Sequence, residues 1–158
     1  MTDTNLESTE NGLPTKDDFN PWGPNNLDAE WAWDNFCGLT LEKAHAKFRE
    51  RPEIYQEDFM FMGGKAFAFY FPVVERYLLD TPDFENEGDD RESWILAKCI
   101  ENQFKSKTSQ YVQHLADRVT MLSQFVQKNI RRFGYDEDER KKIAEAWQEL
   151  QICVKLRS

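Results

Sequence analysis

The sequence predicts a single all-α domain of five to seven helices, and three observations predict it. Apolar residues recur at spacings of three and four along most of the chain, the period of a helix face rather than the alternation of a strand. Prolines, glycines and short polar residues fall at the ends of these runs, where helices start and stop. The 158 residues include twelve Phe, five Trp and five Tyr, enough bulky apolar surface to close one core of ordinary domain size.

Residues 1–20 are rich in Thr, Asn, Glu, Asp and Ser and offer little to bury, so they read as a disordered acidic tail ahead of a helical domain spanning 21–158. Order is expected to begin at NPWGPNN, where Pro21, Gly23 and Pro24 forbid a regular helix and Trp22 offers an anchor onto the domain. Leu27 to Phe36 reads as a short helix stopped by Gly38, and Thr40 caps a second that runs to about Arg51, where Pro52 ends it. The piece EIYQEDFMFM reads equally as a helical turn or an extended segment.

Gly63 to Leu79, GGKAFAFYFPVVERYLL, is the richest apolar run, and Phe67, Tyr70, Phe71, Val74, Tyr77 and Leu78 line one side of a helix within it. Pro72 fits if a helix starts there with proline in its first turn, or if one helix kinks at that point. A further helix is expected from Glu92 to about Lys105. Beyond it, Val112, Leu115, Val119, Leu122, Val126 and Phe133 predict one long amphipathic helix from about Ser109 to Phe133, with polar Asn129 at a seam position and Gly134 as its stop. Asp136 and Glu139 form an acidic variant of a capping box for the last helix, whose buried stripe is Ile143, Trp147, Leu150 and Val154.

A formal charge of -9 repels a phosphate backbone and an anionic membrane surface, which disfavours nucleic acid and membrane as partners and favours a basic protein. The asymmetry is strong: ahead of Phe36 eight acids face Lys16 alone. Cys37, Cys99 and Cys153 are far apart and without nearby histidines, so neither a disulfide framework nor a zinc site is indicated. Without a basic and then apolar leader, and with Glu75 and Arg76 interrupting the richest apolar run, a cytoplasmic location is expected.

Local motifs resolve to bland readings. DFENEGDDRESW, Asp83 to Trp94, spaces its acids and Gly88 as a calcium loop does, but Trp94 stands where a bidentate Glu is required, so it reads as a solvated acidic connector. MGGKA lacks the earlier glycine and the following Ser or Thr of a phosphate loop and reads as a flexible Gly63-Gly64 break with Lys65 solvated. His45 and His114 are isolated, and no nucleophile elbow or dinucleotide fingerprint occurs. No catalytic residue, cofactor or metal ligand is therefore assigned.

In EWAWDNF, Trp31 and Trp33 point to different sides of a helix, so one suits the core and the other a hot spot for a basic partner. The partner-binding candidates are Glu30, Trp33 and Asp34, with the loop carboxylates Asp83, Glu85, Glu87, Asp89 and Asp90.

At KAFAFYFPVVERYLLD the chain resembles a bacterial family of small helical proteins of unknown function whose motif runs Phe-x-x-Tyr-Leu-Pro-Ala. Phe67, Tyr70 and Pro72 match it, while Phe71 and Val73 replace the Leu and Ala. The resemblance extends over about Leu39 to Leu150 and implies a helical fold with no assigned activity.

The expected function is that of a non-enzymatic, acidic protein-binding module, an immunity- or antitoxin-type inhibitor of a basic toxin or nuclease. The alternatives are a homodimeric structural or regulatory adaptor and a cryptic hydrolase.

Overall fold

Six α-helices of ten or more residues, joined by one-turn helices and 3-10 turns, account for the residues that the computed structural model describes, 12–81 and 92–157, and no strand occurs among them. The all-α class expected from the apolar period is the class observed. In chain order the α-helices are α1 (Lys16–Phe19), α2 (Leu27–Phe36), α3 (Leu41–Glu50), α4 (Pro52–Tyr55), α5 (Asp58–Phe61), α6 (Gly64–Leu79), α7 (Ser93–Lys105), α8 (Ala116–Lys128) and α9 (Glu137–Arg157).

The helix starts follow from local chemistry. Thr15 Oγ1 accepts from Asp18 N at 3.3 Å while Asp18 Oδ2 accepts from Thr15 N at 2.9 Å, a reciprocal cap that lets the four residues of α1 hold a turn. Asn26 and Thr40 accept from Ala29 N and Lys43 N to open α2 and α3. At α9, Asp136 Oδ1 accepts from Glu139 N at 2.8 Å, and Glu139 reaches back to Tyr135 N, one residue earlier than in a strict box.

The core is one cluster of buried side chains with α6 through its middle. Phe67, Tyr70, Phe71, Val74 and Leu78 are all buried, as their spacing predicts. Their rings continue into neighbouring helices: Tyr70 meets Phe19 and Phe36, Phe36 meets Phe59, and Phe59 meets Phe48 and Phe67, with centroids 5.4–6.4 Å apart. Tyr70 Oη also donates toward the carbonyls of Phe36 and Leu39, at 3.1 and 2.7 Å, so it caps the end of α2 from within the core. Pro72 neither starts nor stops a helix. α6 runs through it from Gly64 to Leu79 and forgoes the one N–H that proline lacks.

The ambiguous EIYQEDFMFM piece is two single turns, α4 and α5, and α5 is held from outside. Gln103 Nε2 on α7 donates to the carbonyls of Phe59 at 2.9 Å and Met62 at 2.7 Å, Asn102 Nδ2 donates to that of Met60, and the Cys99 thiol to that of Gln56. Two of these side chains, Gln103 and Asn102, thus satisfy carbonyls that a one-turn helix leaves open.

Several expectations are corrected. The long helix over Ser109–Phe133 does not form: 3-10 turns at Ser109–Tyr111 and Gln113–Leu115 precede α8, and another at Ile130–Arg132 follows it. Thr108 is spent elsewhere, its hydroxyl accepting from Gly64 N at 2.9 Å, and the Asn129 side chain takes the Phe125 carbonyl and ends α8. A 3-10 turn brings residues three apart onto one side, so Val112 and Leu115 still reach the core and the buried seam survives without the helix.

Residues 16–20, expected within the tail, pack onto the domain. Residues 1–11 lie outside the described residues, but Phe19 is fully buried against Trp33 and Tyr70, and Asn20 is buried beside it. Trp22, expected as the anchor, is 41 % exposed, and Phe19 is the anchor in its place.

The Gly63-Gly64 pair, expected as a flexible break, is a tight joint. Gly63 N donates to the Phe19 carbonyl at 2.7 Å, and a Cβ on Gly63 would collide with the Asp18 carbonyl and Pro21. A Cβ on Gly64 would collide with the backbone and side chain of Thr108. Glycine is required here for closeness of approach, since Gly63 has an ordinary φ of -61°.

Two outcomes follow for stability. Gly64→Ala lowers the thermal midpoint by the equivalent of about 1–3 kcal/mol, the usual cost of overpacking, whereas Lys65→Ala leaves it unchanged; equal midpoints for both variants would show that the joint has room. Phe19→Ala costs about 3–5 kcal/mol in denaturant unfolding, and a chain starting at Asn20 that melts like the full chain would place the Phe19 ring outside the core.

Candidate functional site

The first 36 residues hold most of the imbalance of charge, and the structure divides their carboxylates into those already engaged and those left outward. Glu30 is engaged. Asn20 Nδ2 donates to Glu30 Oε2 at 2.6 Å and Lys16 Nζ lies 3.2 Å from Oε1. The Asn20 hydrogen bond, and then Lys16, hold the Glu30 carboxyl below its usual range. Asn20 also bonds the turn that follows it, donating to Gly23 O and accepting from Trp22 N and Gly23 N, so Glu30 fixes α2 to that turn.

Trp33, a predicted contact residue, instead packs edge-on to Phe19 with ring centroids 5.4 Å apart and is half-buried. The exposed tryptophan of the pair is Trp31, at 64 % exposure. The helix explains the exchange: Ala29, Ala32 and Phe36 are fully buried and Trp33 shares their side, which turns Leu27, Trp31 and Asp34 outward at successive turns. Leu27 is 69 % exposed and Asp28 and Asp34 are exposed beside it. The outer face of α2 is therefore two large apolar side chains bordered by two carboxylates free of intramolecular ion pairs among the described residues. Sequence reasoning missed Leu27 as a site residue although its i, i+4 spacing from Trp31 is visible in the chain. Asp83, Glu85, Glu87, Asp89 and Asp90 lie outside the described residues.

Two clefts are formed elsewhere. One of about 220 Å³ lies at the start of α6, lined by Asp17, Asp18, Pro21, Gly64, Lys65, Thr108 and Tyr111, where Lys65 Nζ sits 5.0 Å from the centre of the Tyr111 ring. The other, about 550 Å³ and open, runs between α7 and the last turns of α9. Among the described residues no group of three His, Cys, Asp or Glu side chains is placed to hold a metal ion, and no helix is long and apolar enough to cross a membrane.

Among the described residues the carboxyl most displaced toward neutrality is that of Asp58, at the start of α5. Burial pushes it up from 3.8 to about 6, against the hydrogen bond donated by Asn35 Nδ2 at 2.8 Å and the nearby charge of Lys47. Lys47 Nζ itself donates to the Asn35 carbonyl at 2.5 Å and lies over the Tyr55 ring. Asp58 lines neither cleft, so this network ties α2, α3 and α5 together and presents no carboxyl to a substrate there. His45, buried on α3 with neither ring nitrogen hydrogen-bonded, is pushed below its usual range by burial and by Arg76.

The raised Asp58 value gives a signed expectation. The folded chain holds this proton more tightly than the unfolded chain, so the associated stability is fully present below pH 3.8 and is lost as pH rises through about 6. At neutral pH the ionised carboxylate costs up to about 3 kcal/mol, since each tenfold gain in proton affinity on folding corresponds to roughly 1.4 kcal/mol. Asp58→Asn, which keeps an acceptor for Asn35, therefore raises the thermal midpoint at neutral pH, and its advantage over wild type shrinks toward pH 4. A variant that is less stable than wild type at neutral pH would show that the charge is favourable where it sits.

No protein-family model, curated protein or solved structure matches this chain, so the arrangement of its own side chains carries the functional reading.

Proposed function

We propose that this chain is a non-enzymatic, acidic protein-binding module that docks a basic protein on the outer face of α2, as an inhibitor of the immunity or antitoxin type. The observation that carries the reading is Trp31 with Leu27, both mostly exposed and bordered by Asp28 and Asp34. An exposed Trp ringed by like charge is costly to leave in water and is suited to a pocket on a surface of opposite charge. The overall charge of -9 adds long-range attraction for such a surface. An inhibitor needs no chemistry of its own; it needs a face that fills and neutralises a cationic site.

A hydrolase with a general acid would want a carboxyl held near neutrality on a cleft, and Asp58, the carboxyl with the raised value, opens onto neither of the two described above. The carboxylates Asp83, Glu85, Glu87, Asp89 and Asp90, outside the described residues, remain candidates from the sequence for the same partner.

The test uses basic proteins recovered from the source cells and purified basic nucleases as probes, with binding kinetics at low and high salt. Trp31→Ala weakens binding by about thirtyfold or more, mainly in the dissociation rate, as removal of a hot-spot tryptophan does. Asp28→Lys with Asp34→Lys slows association and flattens its dependence on salt. Binding that survives Trp31→Ala and is indifferent to salt would overturn the reading.

A further inference from the structure

The open groove between α7 and the end of α9 is a second surface, and its chemistry is complementary to itself. Its apolar floor is Ile152, 54 % exposed, Leu156, 80 % exposed, and the buried Cys153 between them. Lys105 Nζ pairs with Glu101 Oε2 at 2.8 Å, and Glu101 Oε1 is buried without a hydrogen-bond partner. The two helices advance in the same direction here: Lys98 on α7 pairs with Glu149 on α9 at 2.7 Å, and Lys105, two turns on, lies by Cys153 and Arg157.

The charges are ordered along that shared direction. Glu101 and Glu149 lie toward the start of the groove, and Lys105 and Arg157 toward its end. On α9, Glu149 stands one turn before Cys153 and Arg157 one turn after it. We infer that the groove is the contact between two copies of this chain, related by a two-fold axis near Cys153 that sets the two α9 helices antiparallel.

In that arrangement each Glu149, held by Lys98 of its own chain through one oxygen, turns the other oxygen to the Arg157 of the second copy, and Ile152 and Leu156 of the two copies cover one another. A two-fold contact is made of one patch used twice, so it demands this kind of self-complementary order, acid at one end and base at the other. A foreign basic partner would meet Lys105 and Arg157 as well as the acids, which makes the groove a poor match for it. The antiparallel setting also opposes the two helix dipoles favourably. The apolar strip is short, so the dimer is weak and concentration-dependent rather than obligate.

Sedimentation velocity on the full chain, from micromolar to submillimolar concentration, tests the inference independently of the proposed basic partner. Wild type passes from monomer to dimer across this range. Ile152→Glu or Leu156→Glu keeps its helical circular dichroism and remains monomeric. Glu149→Arg and Arg157→Glu each weaken dimerisation by about tenfold or more, and the two together restore it, because the swapped pair regains opposite charge. Trp31→Ala leaves the dimer unchanged, which separates this surface from the α2 face. A chain that is monomeric at every concentration, a dimer that persists in Ile152→Glu, or a double charge swap that fails to recover would each overturn the inference.

Discussion

The close approach of backbone to backbone at Gly63 and Gly64 is the constraint on which the rest of the fold depends. One glycine lies against α1 and the other against the turn at Thr108, so segments that precede and follow α6 in the chain converge on its start. From that point α6 carries its aromatic residues through the centre, and the helices around it are positioned by the rings they meet. A methyl group at either glycine would collide with backbone atoms of these segments.

Much of the fold is legible in the sequence because helix faces announce themselves through spacing and helix ends through caps. Leu27–Phe36 and the stripe Ile143, Trp147, Leu150 and Val154 follow from those signals alone. The region before α8 misleads because a spacing of three is shared by an α-helix and a 3-10 turn, and only the engagement of Thr108 by Gly64, 44 residues away, distinguishes them. Phe19 is lost in a polar stretch for a related reason: a single apolar residue has no period, and its burial is decided by distant rings. The candidate site is half legible. The chain shows an acidic, aromatic start, but which tryptophan faces outward depends on Phe19 claiming Trp33, and that claim is tertiary.

The acids of this protein do different work according to what lies beside them. Glu30 is drawn inward by Asn20 and Lys16, Asp18 closes a cap on Thr15, and Asp58 is buried at a cost while it joins three helices. Asp28 and Asp34 have no such employment among the described residues and border an apolar face instead. Counting carboxylates therefore overstates the surface that can meet a partner, and the distinction lies in which of them the fold has already satisfied.

The clamp of α7 on α5 has a consequence for how the chain is made. A helix of four residues has no standing in water by itself, and the carbonyls of Phe59 and Met62 are completed by Gln103, which follows them in the chain by 44 and 41 residues. During synthesis, α5 must wait, unformed, until α7 has left the ribosome. The Asn35–Asp58 link rests on α5 and so matures late as well, which makes the closing of the N-terminal half an event timed by the translation of the C-terminal half.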